Sequence, residues 1–121
     1  MRCKLIFLIF LLILTGCTSA NTIPKEFIDF IPESENEYYV VGYEDEKNTT
    51  TYFKKSIDEF KEDQSVSGLT IYYKVDDSFR KAHEKMRFND STGFIILEKD
   101  KTPYYVESYN DFLDKKIAGS N

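Results

Sequence analysis

The sequence predicts a small α/β domain with the element order β-α-β-α-β-β-α, built as a sandwich of helices on a sheet. Three observations carry that expectation. Segments rich in Val, Ile, Tyr and Phe alternate with segments whose apolar residues recur every three or four positions. Clusters of Asn, Asp, Ser, Gly and Pro separate them at short intervals. The chain has 121 residues, enough for one domain.

Taken in order, Thr22 is a candidate cap for a short helix with Pro24 near its start, and Ile23, Phe27, Phe30 and Ile31 form its apolar stripe. Pro32 ends it. "EYYVVGYED" (37–45) reads as a strand whose consecutive apolar residues suit burial on both faces. A threonine among 49–51 caps the next helix, with Phe53, Ile57 and Phe60 as its stripe. "GLTIYYKV" (68–75) is a second strand with Leu69, Ile71, Tyr73 and Val75 expected on one face. Asp76, Asp77 or Ser78 caps a second main helix, with Phe79, Ala82, His83 and Met86 sharing a side. After the loop "NDSTG" (89–93), "FIILEKDKTPYYV" forms a hairpin turning at 99–103. Ser108 to Asp111 resembles a capping box, opening a last helix with Phe112, Leu113 and Ile117 that closes at Gly119.

A right-handed crossover makes the first two strands parallel, and the hairpin adds an antiparallel pair. This order over residues 37–118 resembles the thioredoxin fold, although another two-layer α/β sandwich shares it. In that family a Cys-x-x-Cys opens the helix after the first strand, where the helix terminus lowers the thiol pKa. A cis-proline precedes the first strand of the hairpin. The matching stretches here are "EKNTTTYF", without cysteine, and "NDSTGF", with Gly93 and no proline. Disulfide exchange needs a thiolate. The resemblance therefore implies a redox-inactive member using the scaffold for binding. Thr50 and its neighbours stand where a ligand would be met, or serve simply as cap and loop.

The N-terminus has a different character. Arg2 and Lys4 precede ten uninterrupted apolar residues, the layout of a signal peptide. As a helix that run rises about 15 Å, roughly half a bilayer's hydrocarbon thickness. Leu14-Thr15-Gly16-Cys17 follows and resembles the lipobox of bacterial lipoproteins. In that family the cysteine thiol receives a diacylglyceryl group and the chain is cut before it. Two acyl chains give stable attachment where one is marginal. The resemblance implies residues 1–16 as signal peptide, Cys17 as the lipidation site, 17–36 as anchor, tether and short helix, and 37–121 as the domain. The partner so implied is the membrane, and the location is the extracytoplasmic face. Lys outnumbers Arg 13 to 3, and Ile, Asn and Tyr are common, as in proteins of low-GC Gram-positive bacteria.

From Cys17 onward the chain has 14 basic and 21 acidic residues, a formal net charge of −7. That argues against nucleic acid as partner and against polybasic adhesion to lipid. With Cys17 as the only cysteine left, an internal disulfide is excluded. His83, the only histidine, sits at an apolar helical position, and a zinc site would want further ligands. Ser78 is poorly placed on the same helix to be activated by it. The clusters at Glu44–Glu46, at Asp58, Glu59, Glu62 and Asp63, and at Asp76–Asp77 lack the alternation and glycine of a calcium loop. The middle group reads as a solvated helix face. No enzyme chemistry, cofactor or metal is expected.

Seventeen of the 105 residues from Cys17 onward are Tyr or Phe. Tyrosine doublets at 38–39, 72–73 and 104–105 send one ring to each side of the sheet. Tyr39, Tyr72 and Tyr105, with Thr50, are the candidate interface residues, since tyrosine is enriched in protein interfaces. The expected function is a lipid-anchored, non-catalytic module that binds another cell-surface or membrane protein. The alternatives are an exclusion or immunity lipoprotein of a mobile element that blocks a cognate membrane machine, and a ligand-binding accessory lipoprotein.

Overall fold

In a computed structural model of the chain, the described residues are 24–119, apart from 49 and 90. The expected signal peptide, Cys17, most of the expected tether, the expected Thr22 cap and Ile23 lie outside them. The elements run α1 (Lys25–Ile28), β1 (Tyr38–Asp45), α2 (Thr51–Glu62), β2 (Val66–Val75), α3 (Asp77–Ala82), a 3-10 turn (Glu84–Met86), β3 (Gly93–Leu97), β4 (Tyr104–Val106) and α4 (Tyr109–Gly119). The expected α/β order is present.

The sheet has the strand order β2-β1-β3-β4. β1 and β2 are parallel, whereas β3 is antiparallel to both β1 and β4. β1 is therefore an inner strand with layers on both faces, which explains its unbroken apolar run.

One face packs under α2 and α4. Val40, Phe94, Ile96 and Val106 from the sheet meet Phe53, Ile57 and Phe60 from α2 and Phe112 from α4. The Phe94 ring lies 5.0 Å from that of Phe53 and 4.9 Å from that of Phe60, within the range of favourable ring pairs. The other face gathers Val41, Tyr43, Val75, Ile95 and Leu97 with Phe27 and Met86, flanked by half-buried Phe30, Phe79 and Phe88.

A polar joint ties the two helices of the first face together. The Tyr109 hydroxyl donates to Asp63 Oδ2 at 2.8 Å, and its backbone N–H donates to buried Ser56 Oγ at 3.1 Å. Burial and the Asp63 carboxylate push the Tyr109 hydroxyl up to about 12. Burial opposes ionisation of Asp63 too, but its bonds from Ser65 and Tyr109 prevail and hold its carboxyl below the usual range. Asp63 is thus a structural acceptor, unlike its solvated neighbours Asp58 and Glu62.

Several local expectations need correction. α1 is a single turn, shorter than the 22–31 stripe suggests. Thr50 occupies the N-cap position of α2, but its side chain makes no capping bond. α3 ends at Ala82, so Met86 reaches the core from the 3-10 turn. Ile117, expected inside, is 64% exposed. Ser108 Oγ does accept from the Asp111 N–H at 3.1 Å, as the capping-box pattern predicts, but the return bond is displaced by one residue: Asp111 Oδ2 accepts from the Glu107 N–H at 3.0 Å instead of from that of Ser108.

The largest correction falls in β2. Leu69 and Ile71 face α2 as expected, but Val75 is buried on the opposite face and Tyr73 is 65% exposed. The cause of the reversed facing of Val75 is a bulge. Tyr43 pairs with Tyr72 and Asp45 with Val75, so Glu44 opposes both Tyr73 and Lys74. Lys74 takes up the extra residue at φ 53°. One inserted residue inverts the parity of everything after it.

Lys74→Gly should accordingly stabilise the domain by about 0.5–1 kcal/mol in urea unfolding, and Lys74→Val should destabilise it. A regular strand would give the reverse order.

Candidate functional site

The site grows from the end of β1. Asp45 shares parity with Val41 and Tyr43, and this carries its carboxylate inward; the residue is only 4% exposed. In the sequence it is one of three consecutive acids with Glu44 and Glu46, and the structure sets it apart from them by burial. Asp45 Oδ2 pairs with the Arg80 guanidinium. Its Oδ1 accepts the backbone N–H groups of Lys47 at 2.8 Å and Asn48 at 3.0 Å. Burial alone would raise the Asp45 pKa. Arg80 and the two loop amides overcome that, so the carboxyl titrates below the usual carboxylate range.

Thr92, directly before β3, completes the junction. Its buried Oγ1 accepts the Asp45 N–H at 2.9 Å and donates to the Asn48 carbonyl. Arg80 Nε donates to the Asn89 carbonyl at 3.3 Å, and the Asn89 N–H donates to the Tyr43 hydroxyl at 3.1 Å. One buried carboxylate and one threonine therefore fasten the β1–α2 loop to the segment leading into β3.

These loops frame an open cleft of about 670 Å³ beside the start of α2. Thr50, Tyr52, Lys55 and Glu59 line it from the helix side, Ser91 and Thr92 from the loop before β3, and Tyr105 with Glu107 from β4 and its exit. Its location, outside the carboxyl end of a parallel strand, is where open α/β sheets place ligands. Neither acid nor capping side chain occupies the first turn of α2. The lining mixes hydroxyls, one lysine, two glutamates and aromatic rings, a surface suited to hydrogen bonding and stacking.

The four candidate interface residues separate. Thr50 and Tyr105 line this cleft together. Tyr105 lies against Gly93, where a Cβ would come within 2.3 Å of its ring, and its hydroxyl donates to the Thr92 carbonyl at 3.2 Å. Tyr39 is half-buried: its ring covers Gly68 and stacks on Phe30 at 4.7 Å, and its hydroxyl meets Thr70 Oγ1. Tyr72 packs among Phe79, His83 and Phe88. Tyr39 and Tyr72 are thus half-buried packing residues, with much of their ring surface already used. The freely exposed rings are Tyr52 at 71% and Tyr73 at 65%. Tyr52 could be anticipated from its place off the Phe53–Ile57–Phe60 stripe, whereas Tyr73 keeps the parity of Leu69 and Ile71 and is exposed near the end of edge strand β2.

His83 stacks on Phe79 with ring centroids 4.3 Å apart, and its Nδ1 is 3.0 Å from the Phe79 carbonyl. Ser78 is exposed. Among the described residues no group of three or more His, Cys, Asp or Glu is arranged to hold a metal. No helix among them is long and apolar enough to cross a membrane. Comparison with family models, with curated proteins and with solved structures finds no match to this chain.

The depressed Asp45 pKa has a defined sign. Its stabilisation is present above the ordinary carboxylate value near 4 and disappears as pH falls through the lower folded value. The stability gap between wild type and Asp45→Asn should therefore shrink as urea unfolding is repeated from about pH 5 down to about pH 2. A gap independent of pH would contradict the ionised, paired state.

Proposed function

We propose that this chain is an extracytoplasmic lipoprotein, anchored through a diacylglyceryl group on Cys17, whose domain is a non-catalytic module binding another membrane or surface protein at the cleft beside α2. The observation that carries the binding site is the cleft itself, where Thr50 and Tyr105 converge with exposed Tyr52 on loops fixed by Asp45 and Thr92. The lipobox-like Leu14-Thr15-Gly16-Cys17 supports the anchor. Anchoring confines the domain to a thin layer, so even a weak cleft gains from high effective concentration.

We read the domain as thioredoxin-like. Support comes from the order β2-β1-β3-β4, the parallel β1–β2 pair, the antiparallel β3 and the helices on both faces. In this reading the cleft stands where the redox motif of that family would lie, with "EKNTTTYF" as the matching stretch and no cysteine in it. An exclusion or immunity role is one use of such a module, by occupying a cognate membrane machine. The cleft volume, about 670 Å³, also falls within the range of small-molecule sites, and this favours the ligand-binding accessory role as the second reading.

The test is in-cell photo-crosslinking of the lipidated chain, with probes in turn at Thr50, Tyr52 and Tyr105, and at Tyr73 as an off-site control. The expected outcome is one dominant membrane-protein adduct from the three cleft positions, absent at Tyr73 and weakened in Cys17→Ala. A small-molecule ligand recovered with the purified protein, without protein adducts, would favour the accessory role. Equal adducts from Tyr73 and the cleft would overturn the assignment of the site.

A further inference from the structure

The β4 edge divides the charge of this acidic chain unevenly. A cleft of about 580 Å³ between the β3–β4 hairpin and α4 is lined by Lys101, Lys115 and Lys116, with Glu98 as its one acid. A smaller cleft of about 190 Å³ beside it is lined by Lys85 and Arg87 and by no acid. Thr102 and Tyr104 line both, so the two form one continuous surface. Five cations and a single carboxylate occupy it, on a chain whose net charge from Cys17 onward is −7.

Two of the five cations, Lys85 and Arg87, are exposed and make no ion pair among the described residues, and the other three, all lysines, hold exposed or loosely paired positions. The Lys101 side chain is 65% exposed and reaches Glu98 only at 3.4 Å. Lys115 donates to the Tyr105 carbonyl at 2.7 Å and lies 3.7 Å from Asp111. Lys116 sits over the Tyr38 ring, 5.0 Å from its centroid, donates to Ser65 Oγ at 3.4 Å and is attracted by Asp63.

The chain enters the domain at this surface. Pro24, the first described residue, lines the smaller cleft with Lys85 and Arg87. Six residues separate Cys17 from Pro24, and the seven steps between them span at most about 25 Å when fully extended. A lipid on Cys17 therefore tethers the domain by its basic edge.

We infer that this basic edge docks on the anionic phospholipid headgroups of the membrane that holds the anchor. The domain then lies with the β3–β4 hairpin toward lipid and β2, the opposite edge of the sheet, away from it. This rests on the lipid-anchor reading above. Whole-chain charge argues against electrostatic adhesion, but cations within a screening length of the surface act before the acids further away do. Short tethering and local charge act together: the acyl chains hold the domain near the bilayer, and the cations choose which side meets it.

The experiment uses the processed, lipidated chain carrying a fluorophore at Thr102→Cys or at Tyr73→Cys on β2. Each is reconstituted into vesicles of phosphatidylcholine alone, and of three parts phosphatidylcholine to one part phosphatidylglycerol, with a headgroup nitroxide quencher in both. Intact mass and flotation with the neutral vesicles test the anchor separately. A chain without added lipid that fails to float removes the lipoprotein reading, and this orientation with it.

With the anchor established, quenching at position 102 should exceed that at 73 on anionic vesicles. The excess should vanish on neutral ones. It should also vanish when salt rises from about 0.1 M to about 1 M, where screening shortens from about 10 Å to about 3 Å. Lys85→Glu with Arg87→Glu should reduce the oriented fraction by about fivefold or more, at unchanged flotation. Equal quenching at the two positions on anionic vesicles, or an excess insensitive to salt, would overturn the docking surface while leaving the anchor intact. A soluble acidic protein captured by the wild-type edge in place of the vesicles would overturn it as well.

Discussion

The carboxylate of Asp45 is the constraint on which the organisation of the end of the domain that holds the candidate site depends. A buried charge is tolerated only when paired and hydrogen-bonded, and Asp45 has both kinds of partner. Its partners come from three separate places: Arg80 on α3, the amides of the β1–α2 loop, and Thr92 through the Asp45 backbone. Any displacement of one segment leaves a charge or donor uncompensated in the others. The cleft beside α2 therefore has walls set by polar geometry as well as by apolar packing.

The pairing itself traces back to the bulge in β2. Because Lys74 absorbs an extra residue, Val75 turns into the core opposite Asp45 and the chain leaves the sheet at Asp76. Asp76 then accepts the Phe79 N–H at 2.8 Å and opens α3, which delivers Arg80 one turn later. A regular strand would reverse the parity after Tyr73 and turn Val75 away from this core. Backbone irregularity in one strand thus determines electrostatics in its neighbour.

Much of the architecture was legible in the residues. β-branched and aromatic runs located all four strands, and the Phe53–Ile57–Phe60 and Phe112 spacings located the two helices that cover one face. Local periodicity reports burial well when an element is regular. It could not report Lys74, since a lysine at positive φ has no sequence signature and inverts parity only beyond itself. It also could not report the Asp45–Arg80 pair, whose members lie 35 positions apart in the chain. The tyrosine doublets carried half the truth: Tyr38 with Tyr39, and Tyr104 with Tyr105, do divide between the faces. Which rings stay open depended on glycines 68 and 93, over which Tyr39 and Tyr105 fold.

The proposed anchor and the observed fold bear on each other through Pro24, where the tether meets the domain beside exposed cations. Both the cleft and that edge include Tyr105, so the proposed binding site and the proposed docking edge share a side chain. The junction that keeps the cleft open is the part most directly open to measurement. A double-mutant cycle in urea unfolding, with Asp45→Asn, Arg80→Met and the pair combined, isolates the coupling between the two side chains. Each single change strands a buried or half-buried partner, whereas the double removes both charges. The account predicts a coupling of about 2 kcal/mol or more, with the double variant more stable than the sum of the single losses implies. Additive losses, with coupling near zero, would contradict the Asp45 carboxylate as the organising element of this site.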